Sequence, residues 1–257
     1  MSLSNEKPKR KVQSTLAIPI HNTMVTCPTC GMTYNSSIAT DVAMHRRYHT
    51  EFSNGISWPS ALATRAVLET YNIVVTVKSN KLGQLKNSVK RETKKAVVQT
   101  IDKSNKKQVE KVEQLLKMVN RELNACDDSK QWRSEKFENS KAFVLVVENK
   151  AIGVCTTDTI NCGQWLVHET QFVVPNQTIK NVCIGISRIW IAPKWRQNGA
   201  ARFLLNCVLK NSIYGKVLSR NQIAFSQPSH GGGLLAKSFN GVLHKSGKFL
   251  IPIYQEF

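Results

Sequence analysis

Between Thr170 and Gln255 the sequence has no carboxylate side chain, and Glu256 is the only one after Glu169. Any proton acceptor for chemistry in that last third must be found elsewhere. Long apolar runs are also missing. None approaches the ~20 residues that cross a bilayer as a helix, which excludes a membrane-spanning helix. The opening MSLSNEKPKRK has no apolar core behind it, so no secretory signal is expected. The seven cysteines are an odd number, and two of them form C-x-x-C, which favours metal binding and free thiols in a reducing compartment over a disulfide framework. Acidic residues are scarce throughout, 17 against 36 Lys and Arg, for a net charge of +19. Such a field draws nucleic acid or acidic protein surfaces and says little about fold.

With 257 residues, 41% of them hydrophobic, the chain can hold one ordinary domain and a small appendage. Residues 1–20 read as a disordered basic tail whose cluster Lys7, Pro8, Lys9, Arg10, Lys11 fits a nuclear import signal. In residues 21–52, Cys27 and Cys30 are two residues apart, and His45 and His49 three, with fourteen between the pairs. Two thiolates on a knuckle and two imidazoles one helical turn apart are the tetrahedral set that zinc takes. So short a segment needs the metal to fold, and Tyr34 and Met44 are expected in its small core. A single finger reads only about 3 base pairs, so a structural clip is the plainer role.

Residues 53–257 are expected to form a second domain. Cys183 to Ala192 is apolar on both alternating faces, with Ile184, Ile186 and Trp190 on one, as in a central buried strand. Pro193 ends it. A basic turn through Arg196, then Gln197, Asn198 and Gly199, leads into AARFLLNCVLKN at helical spacing. A glycine before a helix's first turn, where N–H groups lack partners and the dipole is positive, suits an anion such as pyrophosphate.

Around this element the chain is expected to place a helix at ALATRAVLET, a strand at YNIVVTVK and an amphipathic helical region from Lys81 to Asn124. The lysines of that region (Lys86, Lys90, Lys94, Lys95, Lys103, Lys106, Lys107) read as a solvated face or as contacts to DNA phosphates. A hairpin is expected over Lys141 to Thr157, a single strand over Gln164 to Val174, and further strands at Gln222 to Phe225 and Phe249 to Tyr254. The class is α+β, a mixed and mostly antiparallel sheet flanked by helices.

The spacing Arg196, Gly199, Ala201 (R-x-x-G-x-A) resembles the coenzyme A pyrophosphate loop of the GNAT acetyltransferases. The words GISRIW (Gly185 to Trp190), IYG (Ile213 to Gly215) and IAFSQPS (Ile223 to Ser229), with the finger upstream, resemble a fungal member of the cohesin acetyltransferase family. The resemblance implies acetyl-CoA as cofactor. Backbone groups of Ile189, Trp190 and Ile191 would bind pantetheine, and Arg196, Gln197, Asn198, Gly199, Ala200 and Ala201 the pyrophosphate. It also implies transfer to lysines in the SMC head of cohesin, establishing sister-chromatid cohesion during replication, in the nucleus and on chromatin. Gln13, Leu16 and Ile18 have the spacing of a sliding-clamp-binding box without its aromatic pair.

In animal members of that family a serine, a helix glutamate and an aspartate line the site. Here the serine is Ser187, but the other two positions hold Asn206 and Gln227, and neither amide is a useful base. His168, Glu169 and His230 remain as bases, as does a water relay held by Ser187 and Gln227. The missing carboxylates also leave a different class open, a non-catalytic basic zinc-finger protein that binds chromatin through an acetyltransferase-like scaffold.

Overall fold

A computed structural model describes residues 23–62, 67–79, 88–126 and 138–256, and the basic cluster at Lys7 to Lys11 and the residues Gln13, Leu16 and Ile18 lie outside them. Strands β1 (Met24–Thr26) and β2 (Thr33–Asn35) pair antiparallel, with both cysteines in their connection. Helix α1 (Ala39–Asn54) carries both histidines. It outlasts the finger: Phe52, in its last turn, is 4% exposed and its ring lies 6.3 Å from that of Trp190. The indole of Trp195 also donates to the carbonyl of Asn54 at 3.3 Å. Finger and main domain therefore share one core, which contains Cys27 and Cys30 together with Trp190 and Trp195.

The short β3 (Ile56–Ser57) follows, and then the described part of the expected helix, which leaves out residues 63–66, is not helical. Ser60–Leu62 is a single 3-10 turn, and from Val67 the chain is already strand β4 (Val67–Ser79). Its partner β5 (Ser88–Thr100) occupies sequence expected to be helical. The two pair from Val67↔Gln99 to Ser79↔Ser88. Burial alternates with period two, Ile73 and Val75 on one strand, Ala96 and Val98 on the other. Lysines at every second or third position satisfy a half-exposed strand as well as a helix face, so the sequence hid the choice. Helix α2 (Lys106–Leu123) does form as expected, capped by Asn105, with Val109, Val112, Leu115, Leu116 and Val119 buried.

Strands β6 (Lys141–Val147) and β7 (Lys150–Thr159) are the expected hairpin, turned by Glu148 and Asn149, both at positive φ. The expected single strand at Gln164 to Val174 is two, β8 (Gly163–Val167) and β9 (Phe172–Ile179), because His168 to Gln171 form their turn. The remaining elements are β10 (Ile184–Ile191), α3 (Ala200–Asn211), β11 (Ile223–Ser226), α4 (His230–Asn240), β12 (Val242–Leu243) and β13 (Phe249–Tyr254). Among the described residues the main sheet runs β4-β5-β6-β7-β10-β11-β13-β8-β9, with β3 on β7 and β12 on β13. Only β10 with β11, and β11 with β13, are parallel among these pairs. This is the mixed, mostly antiparallel α+β sheet that the sequence implies, with β10 at its centre.

Candidate functional site

In the finger, the ligand atoms of Cys27, Cys30, His45 and His49 all lie within 4.8 Å of one another. Nε2 of His45 is buried with no hydrogen-bond partner, a costly state that a metal ion relieves. The Cys27 thiol is pulled down to about 5, first by the backbone N–H of Cys30 and then by His45, toward the thiolate form that zinc requires. Zinc fits this donor set as a closed structural site. The ring of Tyr34 stacks on His45 at 4.1 Å, whereas Met44, expected beside it, is 57% exposed.

The main site begins where β10 and β11 part. Their pairing runs from Ile184↔Ile223 to Ile186↔Phe225 and stops, while β10 continues to Ile191. At the parting point β10 carries a bulge against β7, with Ser187 as the extra residue. The expected alternation is broken there, and Arg188 and Trp190 come to lie together against α2. The Arg188 guanidinium, 7% exposed, donates to Asn120 Oδ1 at 2.8 Å and to Glu256 at 2.5 Å, and the Trp190 indole donates to Glu122.

Two cavities open beside this gap. The larger, about 620 Å³, is lined by Ile189, Trp190, Ile191, Arg196, Gln197, Gly199, Ala200 and Ala201, and by His230 across the gap. The smaller, about 450 Å³, is lined by Ser187, Ser226 and Gln227 and by Glu256. Both are lined by Leu123, Asn124, Ile189, Ser229 and Gly232, so they are continuous.

The loop at the larger cavity has the shape an anion needs. Gly199 sits at φ +77 just before α3, and no side chain caps the helix, so its first N–H groups are free for a ligand. A Cβ on Gly199 would stand 2.9 Å from Oη of Tyr71, which donates to the carbonyl of Asn198 at 3.1 Å and stacks on Phe203. The Asn198 carbonyl therefore faces Tyr71, and Asn198 is not among the lining residues. Arg196 donates through Nε to the carbonyl of Ile191 and through Nη2 to Glu122, both at 2.7 Å. Glu122 thus ties the loop to Trp190 from the end of α2. Replacing it with Ala leaves the buried indole N–H without an acceptor, a loss of about 1–3 kcal/mol. Calorimetry is expected to show Tm lower by several degrees, about 2–4 °C for each kcal/mol in a protein of this size.

The structure brings Ser187 and Gln227 to one cavity and leaves His168 and Glu169 out of both. They belong to the β8–β9 turn. The His168 ring lies under α4 against Gly233, and Glu169 pairs with Lys237 at 3.4 Å and accepts from the Phe249 N–H. Asn206, on α3, also lines neither cavity. Sequence reasoning missed Glu122, Tyr71, Arg188, Asp158, Tyr254 and Glu256, which act through residues distant in the chain. Only Glu256 had a signal, its isolation in the acid-poor third.

Comparison with known proteins fits this geometry. The family described as ESCO1/2 acetyl-transferase matches residues 180–251, and the zinc-finger of acetyl-transferase ESCO matches residues 13–51. N-acetyltransferase ECO1 of Debaryomyces hansenii is 47% identical over 260 residues, 96% of this chain and 89% of that one. The protein of the same name from Saccharomyces cerevisiae is 33% identical, over 91% of this chain and 89% of its own. Among solved structures, the xEco2 acetyltransferase domain bound to a K105-CoA conjugate aligns with a TM-score of 0.49 at 22% identity, over 63% of this chain and 91% of that one. A scaffold without activity is no longer the reading to prefer: with nearly half of its residues shared along almost the whole length of an ECO1 protein, the chain belongs to the ECO1/ESCO family of zinc-finger N-acetyltransferases and is an acetyl-CoA-dependent enzyme.

Proposed function

We propose that the protein acetylates lysine side chains in the SMC head of cohesin and so establishes sister-chromatid cohesion during DNA replication. The observation that carries the lysine reading is the meeting of the two cavities at Ile189 and Ser229. A cofactor held at the α3 N-terminus and an extended side chain entering past Gln227 would reach one another there. Bound acetyl-CoA supplies an acetyl group activated as a thioester. The N–H groups of Ala200 and Ala201, with Arg196, Gln197 and Gly199, hold its pyrophosphate. Backbone groups of Ile189 and Trp190, free of β11 where the strands part, would hold the pantetheine together with Ile191, whose carbonyl also accepts from Arg196. The N–H of Ile189 or Trp190 faces the oxygen that gains charge during transfer. Asn198 serves the loop's shape through Tyr71. Ser187 and Gln227 face the incoming amine.

Membership in the ECO1 family supports the cohesin substrate, and the cluster at Lys7 to Lys11 supports a nuclear, chromatin-associated setting. The spacing of Gln13, Leu16 and Ile18 supports contact with the replication clamp, and the net charge of +19 supports non-specific contact with DNA. The test is incubation of the purified protein with acetyl-CoA and a cohesin SMC head, read by mass spectrometry. Acetyl groups on head lysines, absent without enzyme, are expected. An enzyme that acetylates other proteins but no lysine of the head would overturn the substrate assignment.

A further inference from the structure

The proton acceptor that the last third of the sequence lacks is supplied by β7. Asp158 accepts from Ser140 Oγ at 2.6 Å and from the phenol of Tyr254 at 2.7 Å. A carboxylate only accepts, so the phenol gives its single proton to Asp158 and its oxygen is left as an acceptor. The Ser187 hydroxyl adjoins that phenol and lowers its pKa against the raising effect of burial, the action of a donor to the phenol oxygen. The Ser187 oxygen is then left to accept, from Thr156 Oγ1 at 2.9 Å on one side and from the smaller cavity on the other. With Ser187 donating to the phenol and Thr156 to Ser187, the protons of this row run toward Asp158.

We propose that Ser187, Tyr254 and Asp158 form a proton relay that carries one proton from the substrate lysine's ammonium to the Asp158 carboxylate. The inference rests on transfer at Ser187, as read above. One ammonium proton passes to Ser187 Oγ, the Ser187 proton to Tyr254 Oη, and the Tyr254 proton to Asp158. The neutral amine then forms its bond to the acetyl carbon as the bond from that carbon to sulfur breaks. The second amine proton leaves with the thiolate as the free thiol of coenzyme A, the third stays on the amide, and Asp158, which is only partly buried, returns its proton to water. Ser187 touches the substrate; Tyr254 and Asp158 are positioning residues that act through it.

The surroundings favour this path. Burial, and then Asp158, push the Tyr254 phenol far above its ordinary value, so it passes a proton on without resting as phenolate. The groups facing the relay are Glu256 beside Tyr254 and Lys103 and Cys155 beside Asp158. Glu256, the other carboxylate in reach, is engaged by Arg188 at 2.5 Å. A Cβ on Gly185 would stand 2.5 Å from Tyr254 Cζ, so the glycine of GISRIW is what lets the phenol lie across β10.

Tyr254→Phe tests the relay, because it keeps the ring that packs over Gly185 and removes only the oxygen. Its kcat is expected to fall about 100-fold with acetyl-CoA affinity unchanged by calorimetric titration. The loss should shrink as pH rises toward the amine's own value of about 10.4, where the substrate deprotonates unaided. Asp158→Asn should behave alike. In the free protein, the Tyr254 hydroxyl proton should give a downfield proton NMR resonance that moves upfield in Asp158→Asn and shifts in Ser187→Ala. If Tyr254→Phe and Asp158→Asn keep wild-type kcat while Ser187→Ala loses it, the relay is wrong and the transfer site stands. Full activity in all three removes both. A fall in kcat with an unshifted pH profile would mark a structural role and also refute the relay.

Discussion

Gly199→Asp combined with Arg196→Ala is expected to abolish acetyl-CoA binding in a protein that remains folded. Asp tolerates the left-handed backbone that Gly199 adopts better than most residues, so the strain of φ +77 alone does not unfold the loop. Its carboxylate stands at the positive end of α3, where a negative charge is favourable to the helix. The same charge occupies the donors that would meet the pyrophosphate and repels that group, and two unit charges 4 Å apart near a protein surface repel by about 4 kcal/mol. Loss of Arg196 removes the cation on the other side. The new Cβ also presses on Tyr71, 2.9 Å away, which supports Asn198. Calorimetric titration should show binding weakened at least 100-fold, with Tm within a few degrees of wild type. Micromolar binding by the double variant would move the cofactor site away from this loop.

The second large effect comes from the metal. Chelation of zinc, or Cys27→Ser, should lower the melting temperature of the whole protein by about 10 °C and weaken acetyl-CoA binding. Structural zinc contributes the folding energy of segments like residues 23–54, which have no core of their own. Without it the last turn of α1 loses its anchor, and Phe52 no longer covers Trp190. Loss of a buried phenylalanine costs about 3–5 kcal/mol, and each kcal/mol lowers Tm by about 2–4 °C in a chain of this size. The cofactor cavity is affected because Trp195, which lines it, hydrogen-bonds to Asn54 at the end of α1. A finger that melts alone, leaving Tm and affinity of the rest unchanged, would show that the shared core contributes nothing.

The β10-loop-α3 segment was legible because an apolar run, a proline, a glycine and a helical period follow one another within 29 residues, Cys183 to Asn211. The finger was legible because metal ligands keep fixed spacing, and the β6–β7 hairpin because Glu148 and Asn149 sit between two apolar runs. Strand β5 was not, since SVKRETKKAVVQT carries charge at positions compatible with either period. The turn at His168 was hidden among strand-forming neighbours. The candidate site was half visible: Ser187 and Gln227 share a cavity, but the carboxylate behind Ser187 lies on β7 and reaches it through a tyrosine 96 residues further on. Nothing in local spacing reports such a contact, because the sheet order that makes it is set by packing across the whole domain.

The seam between α1 and β10 has a consequence for synthesis of the protein. Trp190, the ring Phe52 packs against, is made about 140 residues after it, on the order of ten seconds at ordinary rates of translation. Throughout that interval a metal-loaded finger ends in an aromatic side chain that has only Tyr48 of its own helix beside it. The nascent chain thus exposes an adhesive aromatic surface after the finger has already formed.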